Sequence, residues 1–434
     1  MGALFRRGSD PAEITSATGV WLEDVNGRRY LDAASGAMVV NIGHGDRSVI
    51  SALVRQAEEV AYVHSSAFTT QVSERYADRL AEKLPMDGPR VYPVSGGSEA
   101  VETALKVARS YHLARGRTNR DQFIGRAISY HGNTRGALDV GGRDSFRQPY
   151  LPWLGVSGRV PAVSEYRCPN PNHPAECGKW HASRLEDEIL RIGDDRVAAF
   201  IAEPIGGAAS GAAVPPDDYW DQVSDVCRRH EVLVIADEVM TGFGRTGAWF
   251  ASEHFGLRPD IMTMAKGASS GYWPLGVCAF RGEIGEALES EGLVHGLTFS
   301  HHPMGAAVGE AVIQRIEALG LVAAAADIGG YLSDRIAAEL SDHPHVGDVR
   351  GKGLLLAVEL VADRASKRPF AREKRVAEGL TARARDLGLV VYPSTGCADG
   401  VRGDLLLVGP PLVITREEVE ILVDLLVETL EGLT

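Results

Sequence analysis

Hydrophobic and polar positions follow two alternating periods along the first two thirds of the chain. Apolar stretches of strand type are separated by stretches with helical spacing. The strand-like stretches are VYPVSG, QFIGRAISY, VAAFIAEPI, VLVIADEV and DIMTMAKG, and the clearest helical ones are SEAVETALKVARSYHLARG and DDYWDQVSDVCRRH. This alternation predicts an α/β fold with a mostly parallel sheet covered by helices on both faces. Ligands of such sheets bind beyond the carboxyl ends of the strands.

The pattern changes near residue 305. Residues 305–342 are Ala-rich and helical, GDVRGKGLLLAVELV predicts a hairpin or edge strand, and ARARDLGLVVYP and DLLLVGPPLVI predict further short strands. The last segment is an amphipathic helix that a capping box of Thr415 and Glu418 opens. Near the other end, WLEDVNGRRYLD has an Asn-Gly turn between alternating positions and predicts a hairpin.

These changes divide the 434 residues into three predicted parts. They are an N-terminal segment that packs with the small domain (1–45), a large domain (46–303) and a smaller α+β domain (304–434).

Composition limits the possible partners. The chain has 45 Lys and Arg against 58 Asp and Glu, a net charge of −13, and such a surface repels nucleic acid and anionic membranes. No apolar run reaches the roughly 18 residues of a transmembrane helix. The start, MGALFRRGSDPAEI, has no apolar core of a secretion signal, so we expect a cytoplasmic protein.

The cysteines agree with a reducing compartment, because the five of them are sparse and scattered. Two of them, Cys168 and Cys177, flank the segment RCPNPNHPAECGKWH, which also holds His173 and His181. A metal site is one interpretation of this segment. A Pro-rich surface loop is favoured, because no common zinc spacing is evident, and we predict no metal.

An acid ends one of the apolar strands. VLVIADEV places Asp237 directly after a buried run, where a carboxylate is costly unless a cation pairs with it. A simple strand-end cap is the alternative. Lys266 lies after the apolar run IMTMA, where an ammonium is equally costly. Such a lysine lowers its pKa or forms an imine with a carbonyl, unless it reaches the surface.

A third element completes the set. SGGSEAVETALK places a Gly-rich turn directly before a strong helix, where Gly97 and Ser98 suit a phosphate, although a plain helix cap is the alternative. Pyridoxal 5′-phosphate (PLP) needs three things from a protein. They are a loop that binds its phosphate, an acid that pairs with its ring nitrogen, and a lysine that forms an imine with its carbonyl. Tyr130 and Val239 would then cover the two faces of its ring.

Nearly the whole chain resembles the class III, or ω-type, aminotransferases, which are fold type I PLP enzymes. The motifs are SGGSEAVETALKVAR, SYHG, AEPI, IADEVMTGFGRTG, MAKG, SGYWPLG and LTFSHHP. The resemblance implies a large domain with a mostly parallel, seven-stranded type of sheet, a smaller α+β domain, and a homodimer with shared active sites.

The resemblance also implies a role for each matching residue. Lys266 forms the imine with PLP and, with Asp237 on the pyridine nitrogen, carries the catalysis. Glu203 supports the site from behind, and Thr298 reaches the phosphate of the other subunit. The implied cofactor-binding set is Gly97, Ser98, Tyr130, His131, Glu203, Asp237, Val239, Lys266 and Thr298.

Departures from the family pattern bear on the substrate. Relatives that handle γ-amino acids or acetylornithine tend to have Arg directly after the His-Gly of the SYHG motif. They also tend to have an acid a few residues after the Glu-Pro of the AEPI motif. This chain has Asn133 and Ala208 there. Arg402 matches a mobile arginine that binds a substrate carboxylate, unless it is an ordinary solvated loop residue; Arg135 and Arg143 are the next candidates.

None of the residues expected near the substrate is a bulky aromatic. Met38, Ser66 and Ala67 stand where relatives often have bulky aromatics, which suggests a roomy pocket and a larger amine.

The predicted reaction is ping-pong transamination from a primary amine or ω-amino donor to a keto acid. A PLP-dependent epimerase, aminomutase or decarboxylase is the alternative on the same fold, and a cofactor-bearing protein without turnover is a third possibility.

Overall fold

The computed structural model describes residue 5, residues 12–155 and residues 157–433. Residues 1–4 and 6–11, which belong to the segment MGALFRRGSDPAEI for which no secretion signal was predicted, lie outside the described residues. The domain boundaries predicted from sequence stay a prediction.

The strands include all the predicted ones, and β1, β6 and β10 were not predicted. In chain order they are β1 (Ile14–Thr18), β2 (Trp21–Asp24), β3 (Arg29–Asp32), β4 (Arg90–Val94), β5 (Gln122–Arg126), β6 (Gly158–Val160), β7 (Val197–Ala202), β8 (Leu233–Asp237), β9 (Ile261–Met264), β10 (Gly276–Phe280), β11 (Val346–Lys352), β12 (Leu355–Leu360), β13 (Leu389–Val390), β14 (Tyr392–Thr395) and β15 (Asp404–Val408).

The helices lie between and after these strands. The α-helices are α1 (Ser35–Met38), α2 (Arg47–Glu59), α3 (Gln71–Ala81), α4 (Gly97–Ala114), α5 (Arg135–Val140), α6 (Asp144–Arg147), α7 (Cys177–Ile192), α8 (Tyr219–Arg229), α9 (Gly282–Glu291), α10 (Pro303–Ala318), α11 (Leu321–Leu340), α12 (Val376–Leu387) and α13 (Arg416–Glu431). Short 3₁₀ helices cover Gln148–Trp153, Ala251–Phe255, Lys266–Ala268 and Arg372–Lys374.

A seven-stranded sheet forms the centre, in the order β4-β10-β9-β8-β7-β5-β6. All its strands run parallel except β10, which is antiparallel to both neighbours. Every residue of β7, β8, β9 and β10 is buried, as expected for strands covered on both faces. The predicted α/β fold with a mostly parallel seven-stranded sheet is confirmed.

Two smaller sheets complete the fold. β11 and β12 form the predicted hairpin and continue through β15 to β14, all antiparallel. The predicted Asn-Gly hairpin is β2 and β3, and β3 also pairs with β13 from the far end of the chain, where Leu31 lies opposite Leu389. Residues near both ends of the chain thus share one sheet.

Six of the α-helices, α1, α5, α6, α7, α9 and α12, were not predicted, and two of them lie where the sequence suggested something else. α7 begins at Cys177, so the predicted surface loop extends only to Glu176. The segment ARARDL, expected to lead into a strand, is the second half of α12. In contrast, the capping box of α13 is present as predicted, with Thr415 Oγ1 accepting from the Glu418 amide at 3.2 Å.

Among the described residues, no helix combines the length and apolar character needed to cross a membrane.

Candidate active site

A cavity of about 200 Å³ opens beyond the carboxyl ends of the central strands. Its lining includes eight residues predicted from the sequence: Gly97, Ser98, Tyr130, His131, Glu203, Asp237, Val239 and Lys266. Parallel strands place their carboxyl ends at one edge, so residues far apart in sequence meet there. The remaining lining residues are Gly132, Gly207, Ala208, Met240 and Ala265.

Asp237 is the last residue of β8 and is only 4% exposed. One carboxylate oxygen lies 2.6 Å from His131 Nδ1. The other accepts hydrogen bonds from the Thr263 hydroxyl at 3.0 Å and the Val239 amide at 3.1 Å. These partners fix the carboxylate at the cavity wall.

Lys266 follows β9 and begins a 3₁₀ turn. Burial lowers the pKa of its amine to about 8; Arg245 acts in the same direction, and Asp237 and Glu203 oppose it. Its φ of +43° lies in the left-handed region, which is sparsely populated by side chains other than glycine and often found at functional sites. The side chain faces the same cavity as Asp237.

The N-terminus of α4 forms the floor of the cavity. No side chain caps this end of the 18-residue helix, so its first amides and its dipole are open to an anion. A Cβ on Gly97 would lie 3.1 Å from a Val239 methyl carbon, and one on Gly132 would lie 2.4 Å from Ser98 Oγ. Glycine at both positions therefore allows the backbone to pack closely against the side chains of Val239 and Ser98 at the cavity wall.

Glu203 follows β7 and connects the cavity to the residues behind it. Its carboxylate accepts from the Tyr130 amide and from the Arg126 guanidinium, each at 3.3 Å. Arg126 also donates to the Glu203 carbonyl oxygen. Both contacts come from one Arg126 nitrogen and fix Glu203, which in turn holds the Tyr130 amide. The Tyr130 ring packs edge-on against Phe146, with centroids 5.7 Å apart.

Four predicted residues lie elsewhere in the single chain. Met38 is 1% exposed and packs in an apolar cluster with Ile205 and Ala208, so it lies behind the cavity wall instead of lining the cavity. Ser66, Ala67 and Thr298 are exposed. The carbonyl oxygen of Thr298 accepts from the Tyr62 hydroxyl at 2.7 Å, which brings the loops around residues 62 and 298 together.

Arg402 is not free in this structure. Its Nε donates to Asp399 Oδ2 at 2.7 Å, and its amide donates to the other oxygen of the same carboxylate at 2.6 Å. No acid stands at the Ala208 position, and Asp399 in the same loop holds Arg402 instead. The ion pair is exposed, so it contributes only about 0–1 kcal/mol.

The loop that carries Arg402 lies against the segment after β5. A Cβ on Gly400 would lie 2.8 Å from Asp144 Oδ2. Arg143, the next carboxylate candidate, stacks its guanidinium 4.3 Å from the Phe146 ring centroid and donates to Ser394 at 3.2 Å. Burial lowers the pKa of Arg143.

Sequence reasoning missed two residues that shape the site. Thr263 is the one polar residue within IMTM, and Arg126 is a charge at the end of a buried strand. Both break an apolar run beside a predicted functional strand, which is the signal that points to them.

Comparison with known proteins agrees with this geometry. The family model for aminotransferase class-III matches residues 4–430. The uncharacterized aminotransferase YodT of Bacillus subtilis is 38% identical over 420 residues, which cover 96% of this chain and 94% of the relative.

Solved structures of transaminases are similar throughout. A thermostable (S)-enantioselective omega-transaminase from Thermomicrobium roseum has a TM-score of 0.91 and 37% identity, covering 98% of this chain and 93% of that chain. An amine transaminase from an uncultivated Pseudomonas species, in its PLP-bound form, has a TM-score of 0.90 and 35% identity, covering 99% and 97%.

Proposed function

The chain belongs to the class III aminotransferases, which are PLP-dependent transaminases, and from this premise we propose which amines it takes and which of its residues act. The proposed donor is a primary amine or ω-amino compound, and the acceptor is a keto acid. One observation carries the assignment of the site. A half-buried lysine, a strand-end aspartate and an uncapped helix N-terminus face a single cavity.

The cavity fits the cofactor. The first amides of α4, with Ser98 Oγ beside them, would hold the phosphate, because an anion is stabilised at an uncapped helix N-terminus. Asp237 would pair with the ring nitrogen, and Lys266 would hold the carbonyl carbon. Tyr130 and Val239 both line the cavity and would cover the ring.

When bound, PLP supplies an electron sink that makes the C–H bond next to the donor nitrogen acidic. Lys266 would take that proton on Nζ and return it to the neighbouring carbon, acting first as a base and then as an acid. Because the pKa of this amine is about 8, it can both accept and donate a proton near neutral pH.

Asp237 would keep a proton on the ring nitrogen. Its carboxylate already has three hydrogen-bond partners, so its orientation is set before the ligand arrives. His131 acts through Asp237 as a positioning residue. Glu203 has the same kind of role for Tyr130, because it accepts a hydrogen bond from the Tyr130 backbone amide.

The substrate pocket supports a donor without a dedicated carboxylate site. Ala208 lines the cavity, Asn133 is exposed, and neither side chain carries charge. We propose that the keto acid carboxylate is bound by Arg402, which exchanges Asp399 for the substrate in one half-reaction. Ser66 and Ala67 are proposed to face the substrate of a neighbouring subunit, while Met38 sets the shape of the wall from behind.

The active form is proposed to be a homodimer with shared sites. Thr298 lies outside the cavity of its own chain, on an exposed loop beside Tyr62 and Phe299. That position suits a residue that completes the phosphate site of a partner subunit.

The cellular location is proposed to be the cytoplasm. The support is that all five cysteines are free, as expected for a reducing compartment. Immunoblotting of cytoplasmic, membrane and secreted fractions tests this.

The function is tested with the PLP-loaded enzyme and one substrate at a time. A donor amine alone should convert the bound cofactor to its aminated form, with one carbonyl product per site and no further turnover. A keto acid alone should then restore the starting spectrum. Continuous product formation from the donor alone would instead indicate an epimerase, aminomutase or decarboxylase, which the family relationship does not favour.

A further inference from the structure

A cluster of cysteine and histidine side chains lies away from the active site, where the loop after β6 meets α7. Cys168 Sγ and Cys177 Sγ are 3.6 Å apart, and His173 Nδ1 is 3.3 Å from Cys177 Sγ. The three atoms all lie within 4.8 Å of one another. The segment between Cys168 and α7 thus folds back on itself instead of extending across the surface.

A second histidine borders this cluster. His181 is one turn after Cys177 on α7, so the two side chains share a helix face. His181 Nε2 lies 3.8 Å from Cys168 Sγ. Cys177 and His181 are buried, while Cys168 is half-buried and His173 is exposed.

Three of the six distances between ligand atoms are those of a tetrahedral metal site, although His181 lies outside the group of three whose atoms are all within 4.8 Å. Zinc–sulfur bonds of about 2.3 Å and zinc–nitrogen bonds of about 2.0–2.1 Å place neighbouring ligand atoms about 3.4–3.8 Å apart. The three measured separations, 3.3, 3.6 and 3.8 Å, lie at or close to this range. Two sulfurs with two imidazole nitrogens form a donor set that selects zinc over harder ions.

The Cys177 sulfur lies at a helix N-terminus and beside a buried amide. Cys177 is the first residue of α7, where the helix dipole favours negative charge. Asn170 Nδ2 lies 3.4 Å from Cys177 Sγ and donates to the Ala175 carbonyl oxygen at 2.8 Å. The buried Asn170 amide therefore orients both the sulfur and the loop that carries His173.

We propose that Cys168, His173, Cys177 and His181 bind one structural Zn²⁺ ion. On binding, both thiols release their protons to solvent, and two thiolates balance the charge of the ion. The four protein ligands leave no open position, so the ion fastens the loop to α7 and takes no part in transamination. This proposal departs from the plain surface loop favoured by the sequence, in which the spacing gave no sign that the ligands converge.

The first test is metal content. The PLP-loaded enzyme, made without a histidine tag in zinc-supplemented cells, is measured by plasma mass spectrometry, and we expect one zinc per chain. Cys168→Ser and Cys177→Ser should lose the zinc, while Cys227→Ala, at a buried cysteine outside the cluster, should retain it. His181→Asn should weaken zinc binding by at least the roughly 10- to 100-fold that loss of an outer partner costs.

The second test does not depend on how the variants fold. Metal-free wild-type enzyme, kept reduced, is titrated with Co²⁺. A tetrahedral site with thiolate ligands should give absorption in the red, where the cofactor does not absorb, and Zn²⁺ should abolish it. Chelation of zinc should lower the Tm of the wild type and leave that of Cys177→Ser unchanged, with bound PLP the same in both.

Three outcomes would overturn the proposal. The first is reduced wild-type enzyme that contains no zinc and gives no tetrahedral cobalt spectrum. The second is a Cys168–Cys177 disulfide in zinc-free enzyme isolated from cells, detected by peptide mass mapping. Zinc retained at full stoichiometry in both Cys168→Ser and Cys177→Ser would place the ion elsewhere.

Discussion

Adjacent acids at the end of β8 have opposite surroundings. Asp237 faces the cavity, with His131 and Thr263 on its oxygens. Glu238 points into the protein, where its carboxylate accepts from the Ser252 amide and hydroxyl, each at 2.7 Å, and from the Ala251 amide at 3.0 Å. Burial raises the pKa of Glu238. The proposed role of Asp237 is therefore chemical, whereas Glu238 is bonded to the fold.

Substitution of each acid by its amide should separate these roles. Asp237→Asn should lower kcat by about 10²-fold or more, because the charge that holds the ring-nitrogen proton is lost, with little change in stability. Glu238→Gln should lower the free energy of unfolding by about 1–3 kcal/mol, because an amide group would face several hydrogen-bond donors. Steady-state kinetics and urea unfolding measure the two effects. A kcat within a few-fold of wild type for Asp237→Asn would contradict the assignment.

Lys266 should capture PLP in a pH-dependent way. Burial lowers the pKa of Lys266 to about 8, so the neutral, nucleophilic amine dominates above that pH and the ammonium below it. The rate at which cofactor-free enzyme captures PLP should therefore rise with pH and level off above about 8. Stopped-flow absorbance measures the rate. Lys106→Ala, at an exposed position of α4, is the matched control, and Lys266→Ala should capture no borohydride-fixable cofactor. A capture rate whose pH midpoint lies near the ordinary pKa of lysine would refute a lowered pKa at Lys266.

Arg402 should affect one half-reaction only. A guanidinium–carboxylate contact contributes roughly 1.5–3 kcal/mol, so Arg402→Ala should raise KM for the keto acid about 10- to 100-fold. KM for a donor without a carboxylate should stay the same. Asp399→Asn removes the competing partner, and because exposed pairs contribute about 0–1 kcal/mol, it should lower the keto acid KM up to about five-fold. Equal effects on both substrates would mean that Arg402 shapes the whole site, and no effect would transfer the role to Arg143.

At the level of elements, the sequence predicted what local periodicity determines. β8 is apolar up to Asp237, and β9 is apolar except for Thr263 and ends shortly before Lys266, so each leads to a proposed site residue. α4 has a regular apolar face behind Gly97. The start of α7 was missed, since a Pro-rich polar loop precedes Cys177 and conceals the helical spacing. The cluster around Cys177 was not predictable because it depends on how that loop turns.

The N-terminus of α4 should account for much of the cofactor's affinity. Ser98→Ala removes a hydroxyl beside the proposed phosphate site, and hydrogen bonds to charged groups contribute about 1.5–3 kcal/mol, so Kd for PLP should rise about 10- to 100-fold. Ser110→Ala, on the last turns of the same helix, should have no effect. Equilibrium dialysis of cofactor-free protein measures Kd. An unchanged Kd for Ser98→Ala would show that the backbone amides alone bind the phosphate.

At the level of the whole molecule, contacts between distant segments hold the site together. Arg245 is fully buried and donates to Asn41 Oδ1 at 2.8 Å, to Leu354 O at 3.0 Å and to Pro410 O at 2.6 Å. One side chain thus connects the N-terminal, central and C-terminal parts of the chain. Periodicity does not indicate such long-range partners, so the family motif around Arg245 was recognised while its contacts were not.

The exposed loops around Tyr62 and Thr298 present apolar surface. Phe299 is 58% exposed and Phe68 is 66% exposed, and the Tyr62 and Phe299 rings meet edge-on with centroids 6.2 Å apart. Exposed aromatic groups of this kind are typical of protein interfaces. Because Thr298 lies within the same surface, dimerisation and completion of the phosphate site should be one event.

A charge at Phe299 should therefore weaken the dimer and the active site together. Phe299→Glu is expected to shift the enzyme towards monomer in sedimentation velocity, since an ionised carboxylate is costly to bury in an apolar contact. Its specific activity should fall on dilution in parallel with the dimer fraction, and its PLP affinity should fall with it. Leu190→Glu is the matched control, because Leu190 on α7 is equally exposed, at 58%, and should leave assembly and activity unchanged. A Phe299→Glu monomer with wild-type kcat and PLP affinity would exclude a shared site, since Thr298 then could not serve a partner's phosphate.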